Sequence, residues 1–302
     1  MFSIITPSYN NSEWLRLCIN SVADQNVPSE HIIQDGESQD GTLDWLQQER
    51  RIKAFVEPDR SMYQAINRGL LKSSGNLLSY LNCDEQYLPG VLDRVERFFK
   101  THPKIDVLFG NAIVTSNRGE FICYRKTIIP HRWHTWTNGN LSIFTCATFF
   151  RRSIVNEGLL FDDRVRMVGD TQWLLDLIKA GKRMALLHEY TSIFTMTGRN
   201  IGFTEEAFAE HRRFYGSAPG WLQTAKPLII LLHRMRRLIH GAYFQKPFSY
   251  SIYTQESPNR RITFEVLNPT FRWGSIPRSS SSNDLQKNRL SRIENLPAPS
   301  KP

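Results

Sequence analysis

Leu78-Ser79-Tyr80-Leu81-Asn82-Cys83-Asp84-Glu85 is an apolar strand that runs straight into two adjacent carboxylates. Leu78, Tyr80 and Leu81 suit a buried strand, whereas Asn82 to Gln86 break the apolar pattern. Two acids at the end of a buried strand repel each other and are costly to desolvate, so a cation is expected beside them. A divalent ion with oxygen ligands, itself holding a phosphate, answers that demand. The plainer alternative is a solvated turn after an edge strand.

The residues around this stretch decide between the two. Ser3 to Thr6 predicts a short strand closed by Pro7, which cannot donate to a ladder. Asn10, Asn11 and Ser12 offer N-caps to a helix carrying Trp14, Leu15, Cys18, Ile19 and Val22 at helical spacing. His31 to Gln34 predicts a second strand and Lys53 to Val56 a third, with a helix through Leu43, Trp45 and Leu46 between them. Ser61 caps a helix that runs to about Lys72, and Pro89 leads another that stops before Pro103. This alternation predicts an α/β fold, a mostly parallel sheet with helices on both faces. In such sheets ligands bind beyond the carboxyl ends of the strands. Here those ends are Thr6-Pro7-Ser8-Tyr9, Asp35-Gly36, Glu57-Pro58-Asp59 and Cys83-Asp84-Glu85. Four polar ends in succession mark a site.

The totals narrow the partners. The 302 residues allow one large domain or two modest ones, and a net charge of +9 favours an acidic partner: a nucleotide, an anionic membrane surface or nucleic acid. Cys18, Cys83, Cys123 and Cys146 are scattered, as reduced thiols of a cytosolic protein are. The N-terminus lacks a basic region and a long apolar run, so no signal peptide is expected. The longest apolar run, Leu228 to Leu232, is five residues and too short to span a bilayer. No G-x-G-x-x-G follows the first strand and no G-x-x-x-x-G-K-[ST] occurs, which counts against dinucleotide-dependent oxidoreductases and P-loop enzymes. His131 and His134 lack a zinc-binding context and read as part of an aromatic-rich surface loop.

Taken together, Ile4-Ile5-Thr6-Pro7-Ser8-Tyr9-Asn10, Gln34-Asp35-Gly36-Glu37-Ser38-Gln39-Asp40-Gly41-Thr42, Glu57 to Gly69, Leu81 to Glu85, Cys146 to Arg152 and Val168-Gly169-Asp170-Thr171-Gln172-Trp173 resemble the family 2 glycosyltransferases of the GT-A fold, in particular those of bacterial cell-surface polysaccharide synthesis. The likeness covers about residues 2–200. It implies that Thr6, Pro7 and Tyr9 hold the nucleotide base, Tyr9 by its ring face and the other two through backbone groups, and that Asp35 accepts from a uracil or guanine edge. Asp59, Asn67 and Arg68 would approach the donor, and helix packing is the competing reading for Asn67. Asp84 and Glu85 would hold the ribose and a Mg²⁺ or Mn²⁺ ion on the diphosphate. Asp170, at a helix N-terminus whose dipole favours its ionised form, would be the catalytic base of an inverting transfer. Arg151 and Arg152 read either as phosphate or acceptor contacts or as a solvated strand end. The sequence departs from the family at Glu85, where an Asp is usual, and at Ser61 and Gln64.

This implies a GT-A catalytic domain over 1–205, an extension over 206–277 and a disordered tail over 278–302. Within the extension, Leu228, Leu231, Leu232, Met235, Leu238 and Ile239 recur at helical spacing among Arg234, Arg236 and Arg237. Trp221 to Tyr250 contains no acid. Such a helix suits an anionic membrane interface, or packs on the core with a basic face in solvent. The expected protein is a cytoplasmic, metal-dependent transferase, peripheral on the inner face of the plasma membrane if the helix binds lipid. It would take a nucleotide-sugar donor and a saccharide or lipid-linked acceptor. The alternatives are a nucleotidyltransferase or phosphatase using the carboxylate pair, and a non-catalytic membrane-associated scaffold with a decayed transferase fold. Nucleic-acid binding has no recognisable motif.

Overall fold

The computed structural model describes residues 1–137, 143–198, 200 and 205–273. The expected disordered tail, 278–302, lies outside them. Along the chain run β1 (Phe2–Ser8), α1 (Ser12–Ala23), β2 (Ser29–Asp35), α2 (Thr42–Leu46), β3 (Lys53–Val56), α3 (Met62–Lys72), β4 (Leu77–Tyr80), β5 (Glu85–Tyr87) and α4 (Val91–Thr101). Then come β6 (Val107–Ser116), β7 (Phe121–Arg125), α5 (Arg132–Thr137), a 3₁₀ turn (Thr145–Ala147), β8 (Thr148–Arg151), α6 (Ser153–Asn156), α7 (Gly169–Lys179) and β9 (Met184–Met196). The chain continues through α8 (Glu205–Gly216), α9 (Gly220–Ile239) and a hairpin of β10 (Phe248–Thr254) and β11 (Ser257–Val266).

Alternation along β1 shows how the layers form. Successive side chains of a strand point to opposite faces, so Ile4 and Ile5 enter different cores. Ile4 joins Phe2, Cys18, Val22, Val95 and Phe99 on the α1–α4 side. Ile5 joins Ile66, Leu70, Trp173 and Leu177 on the α3–α7 side. The nine-stranded sheet has the order β3-β2-β1-β4-β8-β6-β9-β5, with β7 on β6. It is parallel across β3, β2, β1 and β4, and β8 enters antiparallel between β4 and β6. The hairpin places Tyr250, Ile252 and Val266 in the same core as Phe2 and Ile4, and Met1–Arg272 forms one compact unit.

Several local expectations change. β1 runs through Pro7 because its pairing with β4 ends at Ile5 and Tyr80, so the missing proline N–H leaves no ladder position empty. Asn11 precedes α1, but its amide donates to Cys83 Sγ at 3.0 Å, while Asp40 caps the helix by accepting from the Ser12 N–H at 2.8 Å. Ser61 caps α3 as expected, accepting from Gln64 N. After the Asn82–Asp84 turn the chain resumes as β5, paired with β9 through Glu85 and Phe194. Among the described residues no helix is long and apolar enough to cross a membrane.

Candidate active site

The parallel strands β3, β2, β1 and β4 bring three of the predicted ends together. The Gly36 N–H donates to Ser8 O and the Glu57 N–H to Asp35 O, both at 2.9 Å, which ties the ends of β1, β2 and β3 edge to edge. A Cβ on Gly36 would stand 3.4 Å from Tyr9 Cδ2 and 3.7 Å from Asp59 Oδ2, so Tyr9 and Asp59 flank one bare backbone position. Tyr9 is 65% exposed and presents a free ring there. The Asp35 carboxylate is buried, accepting from Ser38 N and Ser38 Oγ at 2.8 Å each. Ser38 Oγ in turn accepts from Asn10 N at 2.8 Å, locking the loop after β2 onto the end of β1. A carboxylate has about four acceptor positions, so Asp35 keeps capacity for a ligand N–H.

The side chains of Thr6 and Asn67 are engaged within the fold. Thr6 Oγ1 is buried against His31 Nε2 at 2.8 Å, turned into the core. Pro7 is buried in β1, opposite Gln34. Asn67 uses both ends of its amide on Phe161: Nδ2 donates to the carbonyl at 2.8 Å and Oδ1 accepts from the N–H at 3.0 Å. Arg68 pairs with Asp59 at 2.8 Å and also donates to Pro58 O. Burial still outweighs that guanidinium and holds the Asp59 carboxyl above its ordinary range. Arg151 and Arg152 lie at the opposite edge because β8 is antiparallel. They donate to the carbonyls of Phe99, Ile105 and Gly75, as structural clamps.

The two carboxylates after β4 part company. Asp84 is half-buried in the turn, partnered by the Asn200 amide at 3.2 Å, and burial pushes its pKa up to about 6. Glu85 starts β5, so its side chain points into the protein, where it is 1% exposed and accepts from Asn82 N at 2.7 Å. Burial, then the charge of Asp84, push Glu85 up to about 8. Ser8 Oγ and Asn82 Oδ1 are buried near these strand ends with no hydrogen-bond partner among the described residues, the condition of groups that a ligand or water completes. Nowhere among the described residues do three His, Cys, Asp or Glu side chains gather as metal ligands. A divalent cation of the Mg²⁺ type needs no such cage, since one or two carboxylates plus substrate phosphates hold it. Asp84 fits that demand directly. Glu85 fits it only as the group behind Asp84.

Asp170 is the second residue of α7 and half-buried. Burial pushes it up to about 6 against the Thr171 N–H, which donates to Oδ1 at 2.7 Å, so desolvation here outweighs the helix N-terminus. The surroundings explain the placement. A Cβ on Gly169 would stand 2.5 Å from Tyr63 Cε2, so only glycine lets α7 begin against that ring. Phe161, clamped by Asn67, stacks on Tyr63 at 5.6 Å and on Trp173 at 4.7 Å. Glu210 of α8 accepts from the N–H groups of Met167 and Val168 at 2.8 and 2.9 Å and from that of Arg166, fixing the approach to α7. Tyr80, the last residue of β4, joins the two halves: burial raises its phenol, and Asp170 and Glu85 both raise it further.

Sequence reasoning missed Ser38, Asn200, Tyr63 and Glu210. An Asp-Gly-x-Ser turn signals Ser38, because Asp accepts from backbone and hydroxyl groups just ahead of it. The other three act across 104 to 116 residues or through α8, where no local pattern points to them. His131 is exposed in the loop before α5, against the Trp133 ring, as expected, but His134 lies in α5, buried and stacked on His233 of α9 at 3.4 Å, and burial pushes it down to about 4. A hollow of about 530 Å³ lies apart from these residues, between β9, α4 and the hairpin.

The chain is similar to known proteins over most of its length. The mannosyltransferase from Pyrobaculum calidifontis, solved with GDP-Man and Mn²⁺, superposes with a TM-score of 0.54 at 17% identity, over 78% of this chain and 69% of that one. At that identity the likeness concerns the fold, which is GT-A. A PGL/p-HBAD biosynthesis glycosyltransferase of Mycobacterium bovis is 33% identical over 245 residues, 78% of this chain and 90% of the relative. The dolichyl N-acetyl-alpha-D-glucosaminyl phosphate 3-beta-D-2,3-diacetamido-2,3-dideoxy-beta-D-glucuronosyltransferase of Methanococcus voltae is 22% identical over 72% of each chain. Residues 3–159 match the profile of Glycosyl transferase family 2, and the chain belongs to that family of glycosyltransferases.

Proposed function

We propose that the protein is an inverting, metal-dependent glycosyltransferase that moves a sugar from a UDP- or GDP-sugar to a hydroxyl of a lipid-linked or saccharide acceptor in cell-surface polysaccharide synthesis. The observation that carries the reading is the pair of half-buried carboxylates, Asp84 and Asp170, both raised to about 6 and set beyond β4 and at the start of α7. The dolichyl-phosphate acceptor in the name of the Methanococcus relative supports a lipid-linked acceptor, and GDP-Man with Mn²⁺ in the mannosyltransferase supports the donor class and the metal.

In this reading the Tyr9 ring stacks on the base, Asp35 accepts from its N–H edge, and Asp59 with Arg68 borders the nucleoside. Pro7 and the Thr6 backbone shape the floor. Asp84 holds Mg²⁺ or Mn²⁺, with Glu85 behind it; the ion, when bound, neutralises charge on the departing diphosphate. Asp170 takes the proton from the acceptor hydroxyl. The hydroxyl oxygen bonds to the anomeric carbon as the bond to the diphosphate breaks on the opposite face. A base with a pKa just below neutral is both ionised and basic enough for that task. Asn67, through Phe161, and Glu210 position the base.

Calorimetry with UDP- and GDP-sugars, with and without Mn²⁺, tests this. One donor should bind in a metal-dependent way to the wild type and fail to bind the Asp84→Ala variant. Folded wild-type protein that binds no nucleotide sugar would instead favour a non-catalytic scaffold.

A further inference from the structure

Helix α9 has two apolar faces, and among the described residues only one is covered. Leu222, Ile229 and His233 are buried, with Trp136 and His134 of α5 packed against them. The other face carries Leu228, Leu231, Leu232, Met235, Leu238 and Ile239, which are 49–78% exposed. At 100° per residue these six fall within an arc of about 120°, a continuous stripe along the helix. Monomeric soluble proteins rarely leave such a stripe in water.

The ends and margins of the stripe identify its partner. Trp221 and Trp133 meet edge to face at 5.5 Å at one end, both exposed, and Phe244 stands 67% exposed at the other. Arg234 and His240 of the helix are exposed, as is Lys246 in the segment that follows it, and the thirty residues from Trp221 to Tyr250 hold no carboxylate. Arg236 and Arg237 turn back onto the protein: Arg236 donates to Ile129 O at 2.9 Å, and Arg237 lies over the Tyr243 ring. The outward face is therefore apolar at its centre and cationic at its rim, not the solvated basic face of an ordinary packed helix. Aliphatic centre, cationic rim and terminal aromatics are the composition of a helix lying at a lipid headgroup boundary. No described helix can cross a bilayer, so the contact is peripheral.

We propose that α9 docks this protein on an anionic lipid surface, with the Leu228–Ile239 stripe seated among the acyl chains and Arg234 and Lys246 at the phosphates. This goes beyond the proposed transfer reaction and stands without it. It bears on that reaction because α5 packs on both α9 and α7, so docking holds the helix that carries Asp170 at a fixed distance from the lipid.

Flotation of the full-length protein with phosphatidylcholine vesicles, with and without phosphatidylglycerol, tests the proposal. Binding should require the anionic lipid, weaken as salt rises, and fall more than about tenfold in the Leu231→Glu/Met235→Glu variant. Both side chains are exposed, so the variant keeps its thermal transition, and an unchanged transition certifies the comparison. A second variant, Arg234→Glu, should lose the preference for phosphatidylglycerol while the stripe remains. Wild-type protein that stays with the soluble fraction, or a double variant that floats as the wild type does, overturns the proposal. So does a wild-type dimer in sedimentation that the double variant abolishes, which would give the stripe to a second copy of the chain.

Discussion

The two ends of the proposed site are built on different plans. The nucleotide end is local: Tyr9, Asp35 and Asp59 are successive strand ends, and its loops are stitched by bonds such as Ser38 Oγ to Asp35 and Asn10 N to Ser38. The base end is assembled from distant parts. Tyr63 and Asn67 come from α3, Phe161 from the loop before α7, Asp170 from α7 itself and Glu210 from α8. A site of the first kind is fixed once the parallel strands pair. A site of the second kind depends on packing across the molecule, so its residues can be weakened one at a time without touching the nucleotide.

The sharpest way to break that division is Asp170→Asn. If the division holds, kcat falls about 10³-fold, within the range for loss of a general base, while donor affinity measured by calorimetry stays within twofold. An equal loss of donor affinity would mean that the two ends are one. Stability moves the other way. Asp170 is raised from 3.8 to about 6, so the folded state binds its proton more tightly than the unfolded state between those values. Stability therefore declines as pH rises through that window, and above about pH 6 the charged form carries its full burial penalty. Removing the charge should stabilise the protein at neutral pH by on the order of 2 kcal/mol, read from denaturant titration. Wild-type activity should decline as pH falls below about 6, where Asp170 takes up its proton.

Glu210→Gln comes next. The substitution keeps the size of the side chain but halves the acceptor capacity offered to the N–H groups of Arg166, Met167 and Val168. Bonds to a charged acceptor contribute about 1.5–3 kcal/mol, so the melting temperature should drop by several degrees and kcat about tenfold, again with donor affinity kept. Loss of stability with unchanged kcat would make Glu210 merely structural. A shift in the acid limb of the pH profile is the sign that Asp170 itself has moved.

The same contrast governs what the sequence revealed. The four β-strands of the nucleotide end, the Ser61 cap and Asp170 at a helix start all follow from short-range patterns, hydrophobic alternation and polar strand ends. Glu85 did not, because whether it faces a metal or the core depends on its pairing with Phe194 of β9, over a hundred residues away. Asn67 looked like a donor contact from its place late in α3, and its partner proved to be the backbone of Phe161. For α9 the spacing announced an amphipathic helix, but only the packing of α5 shows which of its two apolar faces is left in solvent.

The smallest expected effect belongs to Ser38→Ala, and it tests the local plan from its own side. Ser38 Oγ donates to Asp35 and accepts from Asn10 N, whereas the Ser38 N–H to Asp35 Oδ1 survives the substitution. Asp35 would keep its place in β2 and lose only the clasp that presses the following loop onto Tyr9. The two bonds lost contribute about 1 kcal/mol net each to the placement of the loop, and with part of that reaching the ligand, donor affinity should weaken roughly fivefold, with kcat at saturating donor changed less than twofold. A fall in kcat without a change in affinity would show that the loop after β2 reaches the transferred sugar, and the boundary between the two ends would have to move past Tyr9 toward Asp84.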